Sequence, residues 1–410
     1  MDWSTGEAEL SATARRSHLA DLSIVDACVF HEWSSVQELA LYFGEGWNDL
    51  ILRPGDPMGP IEVNAPWIHA PNPFGAKAKR AFPDQGIPGS DYALLVNQLF
   101  SEGGRERVVL GYDEGIQSTV FSNYYAARAM ARAANDWTLA EWLERNERLF
   151  GMVLISSALP EDAAAEIRRA GSNDRMVAVA LGGNALGRSF GHPVYHPIFE
   201  AALEMELPLV LQVGSDALAG QITPPVAGGV PATYAEYRAM GMHSHMSHVA
   251  SLIMAGVFER FPTLKLLLVG GGAAWIPGWL WRLDYWYKLS HKETPWLRQL
   301  PSEYFLQSVR VATYQLESPS PPDKLARALE AVPGFEQLLL YASCYPNTDA
   351  EEPATIAARL PEEWRSAAFT DNALAFFRWP GNGSRRTQDR SGDVSAAALS
   401  PGELEAGNSL

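Results

Sequence analysis

Eight short apolar runs, most of them separated by helical stretches, constrain this chain more than any other feature. They are Leu22–Phe30, Ile116–Phe121, Leu149–Ile155, Met176–Leu181, Pro208–Val213, Leu264–Val269, Val309–Thr313 and Leu338–Ala342. Runs such as Leu266-Leu267-Leu268-Val269 suit strands buried on both faces. Helical segments are predicted at Ala126–Arg145, Pro160–Ala170, Pro197–Met205, His245–Phe261 and Pro322–Ala331. Eight strands alternating with helices predict an α/β fold, a (β/α)8 barrel of TIM type, over an open doubly wound sheet. No glycine-rich phosphate loop follows the first run, which counts against a dinucleotide fold.

Three segments fall outside this alternation. Residues 1–19 are polar and read as an N-terminal arm. Residues 32–104 carry eight prolines between Pro54 and Pro88, with Trp47, Trp67, Phe74 and Phe82, and show little helical periodicity before Tyr92. So long an irregular stretch after the first strand reads as a lid. Residues 381–410, rich in Gly, Ser, Asp, Arg and Ala, read as a disordered tail. The barrel is therefore expected over residues 20–380.

Charge narrows the function classes. The 410-residue chain carries 32 basic and 48 acidic residues, net -16. That balance disfavours nucleic acid and anionic membrane surfaces as partners. No apolar run reaches bilayer length, and the first residues lack the basic start and apolar stretch of a signal peptide. A cytoplasmic location is the expectation.

Several stretches resemble the amidohydrolase-related family that includes aminocarboxymuconate-semialdehyde decarboxylase. They are Ala134-Asn135-Asp136-Trp137, Gly256-Val257-Phe258-Glu259-Arg260-Phe261-Pro262 and Gly271-Gly272-Ala273-Ala274-Trp275-Ile276-Pro277. Arg282-Leu283-Asp284, Pro301-Ser302-Glu303-Tyr304-Phe305 and Ser343-Cys344-Tyr345-Pro346 complete the set. The resemblance spans about residues 22–380. It implies a barrel with its site at the C-terminal mouth, often dimeric, and a metal held by histidines and acids. At the positions where it implies those ligands this chain has Cys28, Phe30, Gln212, Gly270 and Cys344. His31 is one residue late and is expected to face the other way. Glycine and phenylalanine offer no side-chain ligand and an amide is a poor one. The reading is accordingly no metal and no other cofactor.

Other candidates remain open between a functional and a structural role. Cys28 and Cys344 belong to the first and eighth strands, neighbours in a closed barrel. They suit a soft-metal site, a disulfide, a thiol nucleophile or two small buried hydrophobes. His243, His245 and His248 suit a metal site or a helix start. His192 and His196 suit ligand contact or packing. Trp275, Trp279, Trp281, Arg282 and Trp286 suit an interface or the core, with Trp275 also a pocket candidate. Ser122, Asn123, Asn184, Ser215 and Asn347 follow strand ends and are expected to line the mouth; these neutral groups supply no base near neutral pH. His31 and His192 are further pocket candidates.

The function expected from the sequence is a divergent, metal-free barrel. It would be a non-catalytic partner subunit, as a homodimer or in a heterodimer with an active relative, or a binder of a small organic ligand. The alternative is an active hydrolase or decarboxylase on a small cyclic or aromatic carboxylate or amide, metal-independent or using a Cys/His site.

Overall fold

The computed structural model describes residues 22–54, 77–113, 115–121, 123–182, 187–212 and 233–381. Eight parallel strands form one sheet in sequential order: β1 (Val25–Phe30), β2 (Arg107–Gly111), β3 (Leu149–Ile155), β4 (Met176–Leu181), β5 (Leu209–Gln212), β6 (Leu266–Val269), β7 (Val309–Ala312) and β8 (Leu339–Leu340). The seam between the first and last strands is closed by backbone bonds: Ala27 N to Tyr341 O at 2.8 Å, Cys344 N to Cys28 O at 2.9 Å and Phe30 N to Tyr345 O at 2.8 Å. The fold is a (β/α)8 barrel. Seven strands coincide with or lie within expected runs. Their residues are Val-, Leu- and Ile-rich and buried, as strands covered on both faces require.

The second strand is a correction. Residues Gly115–Val120 form a 3-10 turn, and β2 lies earlier, at Arg107–Gly111. The β-branched pattern of Ile116–Val120 is overridden locally. Ser118 Oγ donates to Gly115 O at 2.8 Å and Thr119 Oγ1 donates to Ile116 O at 2.6 Å. Such hydroxyl-to-backbone bonds favour turns over strand ladders.

Helices pack outside the barrel: α1 (Tyr124–Thr138), α2 (Pro160–Gly171), α3 (His196–Glu204), α4 (Met242–Met254), α5 (Ile276–Ser290), α6 (Pro301–Ser308) and α7 (Asp323–Leu329). The helix expected over His245–Phe261 breaks at Gly256, whose φ of 75° is the left-handed conformation glycine tolerates. Within residues 32–104 the described parts hold short helical turns, among them Trp47–Ile51 and Tyr92–Val96. No described helix is long and apolar enough to cross a membrane.

Several short motifs quoted from the sequence are structural ties. Asn135 on α1 accepts from Leu154 N at 2.7 Å and donates to Leu154 O at 2.9 Å, fixing the helix to β3. Asp284 on α5 accepts from the backbone and hydroxyl of Ser302, at 2.9 and 2.6 Å, and so starts α6. The three glycines after β6 all have positive φ (92°, 79° and 66°). At Gly272 the φ of 66° favours glycine, and an added Cβ would also displace the Glu317 carboxylate 2.4 Å away.

Candidate active site at the barrel rim

Four charged groups near the C-terminal ends of the strands, Lys77, Asp113, Arg238 and Asp349, are joined in one chain of contacts through Asn347 and Tyr314. Lys77 pairs with Asn347 in an isolated antiparallel bridge, and Ala78 N donates to Pro346 O at 2.9 Å. The lid thereby lies against the loop that leaves β8. From there Lys77 Nζ donates to Asp113 Oδ2 at 2.5 Å and to Asn347 Oδ1 at 2.8 Å. Asn347 Nδ2 donates to Tyr314 Oη at 3.2 Å. That hydroxyl donates to Asp349 Oδ1 at 2.7 Å and accepts from Arg238 at 2.8 Å. Arg238 also pairs with Asp349. Asp113 follows β2, Tyr314 follows β7, and Asn347 and Asp349 follow β8.

Burial grades along this chain of contacts. The Lys77 side chain is 9% exposed, Asp113 24%, Arg238 25% and Asp349 38%. Tyr314 and Asn347 are buried beneath them. Burial pushes the Tyr314 hydroxyl well above its ordinary range; Arg238 opposes that, while Asp349 and Cys344 add to it. Tyr314 is therefore a neutral hydrogen-bond donor at any working pH. Lys77 and Arg238, each paired with a carboxylate, flank a buried neutral donor, and an anionic ligand with a second polar group would bind here by displacing one of those carboxylates.

The loop carrying Asp113 is itself fixed. Glu32, buried at the start of the lid, accepts from Asp113 N at 2.7 Å and Gly115 N at 3.0 Å. Of the residues in this network only Asn347 was singled out from sequence. Tyr314 directly follows an expected strand and could have been found by the same rule. Asp113 was hidden by the misplaced second strand, and Lys77 sits in a stretch without periodicity.

The remaining sequence candidates fall in separate places. Cys28 and Cys344 are both fully buried free thiols on adjoining segments of the seam, where Cys344 N donates to Cys28 O at 2.9 Å. Burial first, then Cys28, push the Cys344 thiol well up, so no ready thiolate nucleophile stands there. Cys344 adopts φ 51°, a left-handed turn held by Asn347 N donating to Cys344 O at 3.2 Å. Phe30 and Gln212 are buried.

His31 is enclosed on the side of α1. Its Nδ1 bonds Gly111 O and its Nε2 bonds Thr138 Oγ1, each at 2.8 Å. The ring stacks on Trp137 at 5.3 Å, with Tyr112 and Trp142 around it. Burial lowers its pKa to about 4.

The three histidines of α4 do not converge. His245 Nε2 bonds Gly270 O at 3.2 Å, and its Nδ1 is buried without a hydrogen-bond partner. His248 Nδ1 accepts from Phe190 N at 3.2 Å. His192 caps a short turn through Val194 N, and His196 packs near Phe261. Asn123 is the exposed N-cap of α1, accepting from Ala126 N at 3.1 Å. Ser122, Asn184 and Ser215 lie outside the described residues.

On α5, Trp281 and Trp286 are more than half exposed and Arg282 is exposed. Trp275 and Trp279 are half-buried against each other at 5.3 Å, and Trp279 also meets Phe305. Trp275, Trp279, Arg282 and Trp286, with Met246 and Leu283, line a shallow surface groove that Trp281 does not join.

Residues 77–379 match the amidohydrolase family model. The chain belongs to the amidohydrolase family. Among relatives, a decarboxylase from Emericella nidulans is 28% identical over 196 residues, 45% of this chain and 56% of that protein, so the match spans little more than half the relative's length. Among solved structures, 5-carboxyvanillate decarboxylase from Sphingomonas paucimobilis superposes with a TM-score of 0.61 at 21% identity, covering 87% of this chain and 99% of the other. An amidohydrolase from Mycobacterium avium subsp. paratuberculosis gives 0.65 at 17% identity, covering 88% and 99%. A 2,6-dihydroxybenzoate decarboxylase from Rhizobium gives 0.56 at 20% identity, covering 70% and 88%. These structures are similar in fold.

The metal implied by the family resemblance can be tested against the residues present. Cys28, Phe30, Gln212, Gly270 and Cys344 offer two buried thiols and one amide. A hard or borderline divalent ion prefers three or four anionic or imidazole donors. Among the described residues no three His, Cys, Asp or Glu side chains are grouped to hold one. The donor set does not fit such an ion.

Proposed function

We propose that this amidohydrolase-family barrel decarboxylates a small hydroxyaromatic carboxylate with its own rim residues. The observation that carries the reading is the array Lys77–Asn347–Tyr314, with Asp113 and Arg238 at its ends. The relatives support the reaction class, since a curated decarboxylase and decarboxylases of aromatic acids stand among them. That support favours turnover over the non-catalytic partner role.

In this reading Arg238 leaves Asp349 to hold the substrate carboxylate or phenolate, and the Tyr314 hydroxyl likewise turns from Asp349 to donate its proton to the same anion. Lys77 delivers its proton to the ring carbon that bears the carboxylate. The bond from ring to carboxylate then breaks, its electrons return to the ring, and carbon dioxide leaves. Asp113 steadies Lys77 for reprotonation from water. Binding without turnover is the second reading, favoured by the thiol pair that fills the seam at Cys28 and Cys344.

The test is product formation from a panel of hydroxybenzoates by chelator-treated protein. Release of carbon dioxide that is lost in Lys77→Met supports the proposal. Calorimetric binding without product supports the second reading. Neither binding nor product overturns both.

A further inference from the structure

The Asp349 carboxylate is surrounded by donors as a bound anion would be. Tyr314 Oη donates to its Oδ1 at 2.7 Å, Arg238 pairs with its Oδ2, and Gln315 Nε2 donates to that same oxygen at 3.2 Å. Arg238 comes from the helix Tyr234–Ala239, and its Cζ lies 5.7 Å from the centre of the Tyr314 ring. Tyr314 and Gln315 both follow β7. The Gln315 amide is oriented from its other end. Gly271 N donates to Gln315 Oε1 at 2.9 Å. A backbone N–H can only donate, so the amide oxygen faces Gly271 and the NH2 group is left to face Asp349. Gln315 itself has φ 64°, a left-handed conformation that a residue with a side chain keeps only where its surroundings hold it. The donors thus belong to fixed parts of the rim, whereas the anion they hold is partly exposed on the loop leaving β8.

We propose that Gln315 is a substrate-binding residue: with Arg238 and Tyr314 it forms a seat for a carboxylate, which Asp349 fills until an anionic ligand displaces it. The inference rests on the reading of this rim as the substrate site, and adds to it a third donor and a resident competitor. One cationic and two neutral donors complement a single carboxylate, whose two oxygens offer about four acceptor positions. An incoming carboxylate competes with Asp349, so its apparent affinity falls with the fraction of chains in which the seat is open. The amide at position 315 suits this task because it accepts from Gly271 and donates to the anion at once. A glutamate there would still accept from Gly271 but would turn a second negative charge on the seat.

The test is calorimetric titration of the full chain with benzoate, which carries the anion without a ring hydroxyl, and with neutral benzamide. The expected result is one benzoate per chain, with benzamide at least about tenfold weaker. Gln315→Glu should weaken benzoate by on the order of 100-fold through like-charge repulsion. Asp349→Asn removes the competitor and should tighten benzoate by about tenfold. Opposite signs from two neighbouring substitutions are what a merely structural role would not produce. Should Gln315→Glu fail to fold, Gln315→Ala should weaken benzoate by about tenfold through loss of one charge-assisted bond. No benzoate binding, unchanged affinity in the Gln315 variants, or weaker binding in Asp349→Asn would overturn the proposal. Carbon dioxide release from hydroxybenzoates is read separately. The expected benzoate pattern without turnover supports the seat and overturns decarboxylation, whereas turnover with benzoate affinity unchanged in the variants does the reverse.

Discussion

Lys77 and Asn347 are 270 residues apart in sequence, yet the Lys77 ammonium donates to Asn347 Oδ1 at 2.8 Å. The contact carries a cation from the lid onto the loop leaving β8. If Lys77 is the proton donor, Lys77→Met removes both the proton and the charge facing the substrate. The expected loss in kcat is on the order of 10²- to 10³-fold, within the usual range for general acid catalysis and charge stabilisation. Lys77→Arg should retain substrate binding, with KM little changed, while kcat stays low. Steady-state kinetics on the best hydroxybenzoate measures both. Unchanged kcat in Lys77→Met would remove this residue from the mechanism.

Tyr314 supplies a second, separable effect. Its hydroxyl accepts from Asn347 and Arg238 and donates to Asp349. Tyr314→Phe keeps the ring and removes three contacts. Leaving the buried Asn347 amide short of a partner should cost about 1–3 kcal/mol of stability. The substrate carboxylate loses a donor, so KM should rise together with a fall in kcat. Urea unfolding and kinetics on one preparation separate the two effects.

The barrel was legible because burial on both faces writes a strand as an apolar run, and such runs depend little on context. Leu149–Ile155 and Met176–Leu181 are strands over the same residues in sequence and structure. Ile116–Val120 was misleading because two hydroxyls could bond back to the chain, a contest that β-propensity does not register. The rim network was mostly illegible for a different reason. Lys77, Asp113, Arg238 and Tyr314 come from four distant segments, and only barrel closure and the lid bring them together. Asn347 and the Cys28–Cys344 pairing were within reach, because adjacency of the first and eighth strands follows from closure alone.

Acid should destabilise the fold through its buried histidines. Burial lowers the pKa of His31 to about 4, of His245 to about 3 and of His248 to about 4, from an ordinary 6.5; neighbouring His248 adds to the effect at His245. All three are neutral in the native chain. In the unfolded chain they bind protons as pH falls through 6.5. Between that value and the folded values the unfolded state holds more protons, so stability is complete above about pH 6.5 and declines toward pH 4. At 1.36 kcal/mol per unit, His31 and His248 each contribute roughly 3 kcal/mol and His245 roughly 5 kcal/mol across its window. Urea midpoints at pH 7, 6 and 5 should fall steadily; a flat profile would show that these rings take up protons in the fold as readily as in the unfolded chain.

The seam of the barrel rests on a buried ion pair that should be costly to break from either side. Asp26 on β1 accepts from Arg105 Nε at 2.8 Å and from Ser343 N at 2.9 Å, and Arg105 also bonds the Tyr341 hydroxyl at 3.1 Å. Burial pushes the Asp26 carboxyl up, against the pull of Arg105 and Ser343. Burial also works against the Arg105 charge, but Tyr341, Asp26 and Glu352 more than restore it. Arg105→Met leaves a carboxylate buried without its counterion, and Asp26→Asn leaves a buried guanidinium with only part of its shell. Removing one member of such a pair costs about 3–5 kcal/mol. The exposed Asp323–Arg327 pair, with side chains 61% and 63% exposed, is the control: Arg327→Ala should cost under about 0.5 kcal/mol. Urea unfolding of the three variants measures the contrast. Equal small losses would mean that water reaches Asp26 and that the β1–β8 seam opens more readily than its closed hydrogen bonds imply.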